Sequence, residues 1–155
     1  MSSSIDTQWM QHALSLAKKA KELDEVPVGA VIVHDDKIIG EGFNQSISSN
    51  DPIAHAEIVA LRQAGQTLNN YRFPGAKMYV TLEPCAMCAG ALVHARLSKL
   101  IYAVDDPKTG ACGSVFNLLQ TNELNHKVEI ERGIMEEECR SLIQNFFKEK
   151  RNKKS

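Results

Sequence analysis

Residues 77–96 read Lys-Met-Tyr-Val-Thr-Leu-Glu-Pro-Cys-Ala-Met-Cys-Ala-Gly-Ala-Leu-Val-His-Ala-Arg. Two local structures meet in that stretch. Lys77–Leu82 has the β-branched and aromatic content of a strand, and Pro74-Gly75 turns the chain into it. Pro84 suits the first turn of a helix, where a missing N–H costs nothing, and the helix is predicted to run to about Arg96. Lys99–Val104 follows as another strand. Strands and helices in alternation argue for an α/β layered fold.

Working outward, Met10, Ala13, Leu14 and Ala17 recur at helical spacing, with Asp6 placed to cap that first helix. Val28–His34 and Lys37–Gly42 read as two strands around an Asp35-Asp36 turn, an antiparallel hairpin. Ala54–Gln63 reads as a helix after the Asp51-Pro52 boundary. Beyond Val104, Gly110 and Gly113 mark a loop, and Ser114 is placed to cap a short helix through Gln120. Lys127–Glu131 is the fifth strand, and Met135, Cys139, Leu142, Ile143 and Phe146 line one face of a last helix. A helix between the fourth and fifth strands favours a parallel crossover, so with the hairpin the five-stranded sheet should be mixed.

At 155 residues the chain is expected to be one domain, with a core of about 5–147 and a basic tail over 148–155. A hydrophobic share of 43% and a charged share of 24% are ordinary for a globular protein. The formal net charge of -1 gives no global attraction to nucleic acid, so any basic surface must be local. No apolar run approaches membrane-spanning length, and the N-terminus has no basic stretch followed by an apolar one. A cytoplasmic protein without a membrane segment is the expectation. There the four cysteines, Cys85, Cys88, Cys112 and Cys139, are not expected to form disulfides.

Cys85 and Cys88 form a C-x-x-C pair at the start of a predicted helix, with both sulfurs on one face. The free N–H groups and the dipole of a helix N-terminus favour thiolates. A redox role for this pair would leave His55-Ala56-Glu57, near the start of another predicted helix, without a purpose. His55, Cys85 and Cys88 instead make three zinc ligands and leave a fourth position for water, the pattern of a catalytic site. Two thiolates cancel the ion's charge, so its water is acidified less than at a site of three imidazoles. Glu57 is then the base that takes the proton. Cys112 as a fourth ligand would make the site structural and leave Glu57 idle.

The order H-x-E, then P-C-x-x-C, is the signature of zinc deaminases of cytosine and adenine, and His55, Glu57, Pro84, Cys85 and Cys88 complete it. In that chemistry zinc-bound hydroxide attacks the amine-bearing ring carbon while Glu57 shuttles protons. The resemblance extends further. Glu25–Ala30, Asp51–Glu57, Tyr79–Gly90, Asp106–Ser114, Asn125–Ile130 and Phe146-Phe147 together resemble the bacterial tRNA-specific adenosine deaminases, from about Trp9 to Arg151. The resemblance implies a three-layer cytidine-deaminase-like fold with helices on both sheet faces, one Zn²⁺ per subunit and a homodimer. The implied reaction is adenosine-to-inosine conversion at the wobble position of a tRNA anticodon stem-loop. It further implies that Asn44 hydrogen-bonds the flipped base, that Val28 packs against it and that the backbone around Pro84 receives its amino group. Ala56 joins these substrate contacts.

Other readings stand beside these. Phe146 and Cys139 lie on the apolar stripe and read as core, whereas Phe147 is one position off it and fits packing or RNA stacking equally. Asp106 follows the fourth strand and is either a ribose 2′-OH acceptor or part of a solvated turn. Arg72, Lys108 and the tail are the basic residues available for phosphates, although the Lys148-Glu149-Lys150-Arg151 tail is less rich in Arg than the resemblance leads one to expect. The Ala86–Val93 helix is apolar on nearly every face, which suits packing between the sheet and a second subunit. The alternative functions are a free-base or nucleoside deaminase for guanine or cytosine, which shares the metal motif, and a non-catalytic zinc-stabilised RNA-binding module.

Overall fold

Five strands, β1 (Gly29–His34), β2 (Lys37–Phe43), β3 (Lys77–Leu82), β4 (Lys99–Val104) and β5 (Glu129–Arg132), form one mixed sheet in the order β2-β1-β3-β4-β5, in a computed structural model that describes residues 4–121 and 124–154. β1 and β2 form the expected hairpin, with Asp35 and Asp36 both in the left-handed region at its tip. β1 also pairs antiparallel with β3. β3, β4 and β5 then run parallel.

Strand alternation builds two cores. Ala30, Ile32, Met78, Val80 and Leu100 face one side, where α2 (Ala56–Leu68) and α3 (Ala86–His94) cover them through Ala60, Ala64, Ala89 and Leu92. Val31, Val33, Tyr79, Ile101 and Ala103 face the other, covered by α1 (Ser4–Glu22) and α4 (Glu136–Lys154). The three-layer α/β architecture expected from the resemblance is therefore present. No helix among the described residues is long and apolar enough to cross a membrane.

Glycine brings α2 down onto β2. A Cβ on Gly42 would lie 2.7 Å from the Ala56 carbonyl oxygen, and one on Gly40 would lie 2.9 Å from the Ala64 nitrogen. Only glycine admits helix backbone that close. The approach seats the N-terminal end of α2 at the sheet.

Several local expectations are corrected. α2 does not stop at Gln63. It continues past Gly65 because Ala64 packs on the hairpin, and it ends where Asn69 turns left-handed and bonds back to the Gly65 carbonyl. α1 begins by Ser4, so Asp6 lies inside its first turn rather than at its cap, where it accepts the Tyr79 hydroxyl at 2.5 Å. Pro84 does not start α3, because the chain is still extended at the N-cap Cys85 (ψ 178°). Ser114 caps nothing, its hydroxyl being used by Glu83, and only a 3₁₀ turn, Leu118–Gln120, forms there. β5 starts two residues late because Val128 gives its N–H to the Leu119 carbonyl. The basic tail is a continuation of α4, with Ser155 and the Lys154 side chain outside the described residues.

Candidate active site

The N-terminal ends of α2 and α3 converge. His55 is the N-cap of α2 and Cys85 the N-cap of α3, both extended and neither making a side-chain cap. Their side chains are thus free to point at a common centre. Cys88, fully buried, comes from the first turn of α3. His55 Nδ1 lies 3.7 Å from Cys85 Sγ and 3.5 Å from Cys88 Sγ. The three ligand atoms lie within 4.8 Å of one another, a donor set for a metal ion.

The electrostatics of the trio favour one thiolate when no cation is present. A hydrogen bond from Cys88, helped by His55, holds the Cys85 thiol down at about 4. The Cys85 sulfur, then burial and Glu57, push Cys88 well above the usual thiol range. Hydrogen bonding to Cys85 raises His55. Two thiolates so close need a cation between them.

Glu57, one residue inside α2, is 4% exposed. Burial pushes its carboxyl up to about 7, against the lowering effect of a backbone hydrogen bond and of His55. Asn44, just past β2, accepts the Ala56 N–H through Oδ1 at 2.8 Å, and its amide nitrogen has no partner among the described residues. Val28 is buried at 4%. The Pro84 carbonyl accepts from the Ala111 N–H at 2.9 Å and also from the Cys112 thiol. Cys112 is buried with its thiol toward that same carbonyl at 3.9 Å and is not in the metal trio.

Comparison with known proteins bears on this arrangement. The MafB19-like deaminase family matches residues 5–151. A tRNA-specific adenosine deaminase of Haemophilus influenzae is 48% identical over 153 residues, 98% of this chain and 88% of that one. The chain belongs to the tRNA-specific adenosine deaminases. A solved structure from work on A-to-I editing by tRNA:A34 deaminases at the wobble position of transfer RNA is 42% identical. It superposes with a TM-score of 0.85 over 88% of this chain and 99% of its own. A guanine deaminase from Bacillus subtilis is 40% identical with a TM-score of 0.60 over 63% of each chain.

A groove of about 1510 Å³ runs along α4 and the loop after β4. None of His55, Glu57, Cys85 and Cys88 lines it. Lys108, Arg140, Lys148, Lys150 and Arg151 line it against Asp105 and Asp106. Arg140 is paired with Glu136 and Lys150 with Asp24, whereas Lys108, Lys148 and Arg151 have no ion pair among the described residues. Phe147 lies on the groove, 43% exposed and edge-on to the buried Phe146. Arg72 does not line this groove and instead stacks over Tyr71 at 5.2 Å. The Asp106 carboxylate accepts the Lys108 and Thr109 N–H groups and the Thr109 hydroxyl, a turn built from its own loop.

Two buried carboxylates escaped the reading of the sequence. Glu25, 2% exposed, accepts the Ile47 and Ser48 N–H groups at 3.2 and 2.6 Å and so anchors the loop that follows Asn44. Glu83, also 2% exposed, does the same for the loop after β4. A lone Glu beside a turn or at a strand end reads as solvated. A Glu directly after a strand and directly before Pro84-Cys85 is the one local signal that pointed inward.

Proposed function

We propose that this chain is a zinc-dependent deaminase that converts adenosine to inosine at the wobble position of a tRNA anticodon. The carrying observation is the convergence of His55, Cys85 and Cys88 beside the buried Glu57, in a member of this family. The donor set fits the ion. Tetrahedral zinc, with Zn–S about 2.3 Å and Zn–N about 2.0 Å, puts nitrogen about 3.5 Å from sulfur. The separations of 3.5 and 3.7 Å agree with that. One zinc ion held by His55, Cys85 and Cys88 supplies the acidity that makes water a nucleophile near neutral pH.

The rest is done by the chain. Adenosine and water become inosine and ammonia. Glu57 takes one proton from the water and hands it to the ring nitrogen, then takes the second from the hydroxyl added to the ring carbon and delivers it to the amino group, which leaves as ammonia. Asn44, fixed by its bond to Ala56, keeps its amide N–H₂ to donate to the base. Val28 walls the base, and the backbone around Pro84 receives its amino group. Asp106 uses three of about four acceptor sites in its turn, which leaves one for a ribose 2′-OH. Phe147 offers a stacking face, and Lys108, Lys148 and Arg151 offer phosphate contacts.

α3 buries Cys88, Ala89, Leu92 and Val93, while Met87 on its other side is 37% exposed. A Cβ on Gly90 would meet nothing within 4 Å. That open apolar face supports a homodimer. A tRNA substrate supports a cytoplasmic location.

The 40%-identical guanine deaminase favours a second reading, a free-base enzyme. Ammonia release separates the two. The enzyme is expected to deaminate an anticodon stem-loop and to leave free adenosine, guanine and cytosine nearly untouched, with binding that weakens as salt rises. Efficient release from free guanine would install the free-base reading instead.

A further inference from the structure

Glu83 ends β3's extended run two residues before Cys85, and its side chain turns inward, 2% exposed. Its carboxylate gathers four donors from the 105–114 loop. Oε1 accepts the Asp106 N–H at 3.0 Å and the Ser114 hydroxyl. Oε2 accepts the Cys112 N–H at 2.9 Å and the Ser114 N–H at 3.1 Å. A carboxylate has about four acceptor sites, so Glu83 is saturated and has nothing left to offer a substrate.

The loop closes directly on it. A Cβ on Gly110 would lie 2.5 Å from Glu83 Oε1 and 2.5 Å from the Asp106 carbonyl oxygen. Two backbone bonds finish the seam. Ala111 donates to Pro84 O at 2.9 Å, and Glu83's own N–H donates to Val104 O at 2.9 Å. The loop so held carries Asp106, Lys108 and Ser114 along the α4 groove.

We propose that Glu83 is a positioning residue: it locks the 105–114 loop to the strand end that bears Cys85, and so sets the RNA-facing wall of the groove relative to the metal ligands. The RNA-facing part rests on the tRNA reading above. Glutamine cannot replace the carboxylate. Its N–H₂ must sit at the Oε1 or the Oε2 position, and each of these faces at least one backbone N–H, a donor against a donor.

The test compares wild type, Glu83→Gln and Ser114→Ala. The readouts are zinc content, the kcat and KM for an anticodon stem-loop, and the rate of tryptic cleavage after the exposed Lys108. Glu83→Gln is expected to raise KM and the cleavage rate by roughly tenfold or more, while kcat stays within about threefold and zinc content is unchanged. Ser114→Ala removes one of the four donors and shifts both in the same direction by less. It decides the matter where Glu83→Gln does not fold. A folded variant with wild-type KM and wild-type cleavage overturns the proposal, as does a loss confined to kcat. A wild type inactive on the stem-loop removes the tRNA reading, and the cleavage rate then decides the locking role alone.

Discussion

Glu57→Gln is expected to bind zinc and RNA as the wild type does and to lose roughly 10²–10⁴-fold in turnover. Glutamine has the same shape and fits a side chain that is 4% exposed, so the packing around α2 is kept. What it loses is the ability to accept and return a proton. The carboxyl is raised to about 7, chiefly by burial, and a group poised there takes and gives protons with similar ease. Single-turnover deamination, measured beside elemental analysis and an RNA binding curve, separates the effects. Near-normal turnover would remove Glu57 as the proton carrier. Loss of zinc would show that it holds the metal instead.

Cys88→Ala has the second large effect. Removing this fully buried sulfur leaves two protein ligands, and zinc should fall from one per chain towards none. Metal binding and folding are coupled, and a ligand at 100–1,000 times its Kd stabilises by about 2.7–4.1 kcal/mol. For a chain of this size that corresponds to a melting temperature lower by on the order of 10 °C. Wild type treated with a chelator should melt close to the variant. Cys112→Ala should keep its zinc, because that thiol points at the Pro84 carbonyl and not at the trio. Full zinc in Cys88→Ala would refute the ligand assignment.

β3 and β4 lie within the bounds their residues predict, since both are short β-branched and aromatic runs with turns on either side. The grouping of His55, Cys85 and Cys88 was legible for a related reason. A C-x-x-C at a helix start, with a His-x-Glu at another, is a local pattern whose chemistry is unusual enough to be recognised. What could not be read is whatever distant chain decides. The helix α2 outruns its predicted end because Ala64 packs on a glycine 24 positions earlier in the hairpin, at 2.9 Å from where a Cβ would stand. Ser114 looks like a cap, yet its hydroxyl is claimed by a carboxylate 31 residues away. Glu83 and Glu25 look like surface residues, and only the loops that fold over them supply the N–H groups that make their burial tolerable.

The groove and the metal trio are separate features, joined through the Pro84 carbonyl and Glu83. This division suits a substrate much larger than a base. On the proposed reading, RNA would be gripped along α4 while one unstacked nucleotide reaches the His55–Cys85–Cys88 centre, and an anticodon loop presents such a nucleotide at little cost.

Incubation of the purified enzyme with total tRNA, followed by nucleoside analysis of the anticodon loop, tests the central claim most directly. Inosine should appear at the wobble position, with one ammonia released for each adenosine lost. Unchanged tRNA, with the same enzyme deaminating free guanine or cytosine efficiently, would contradict it.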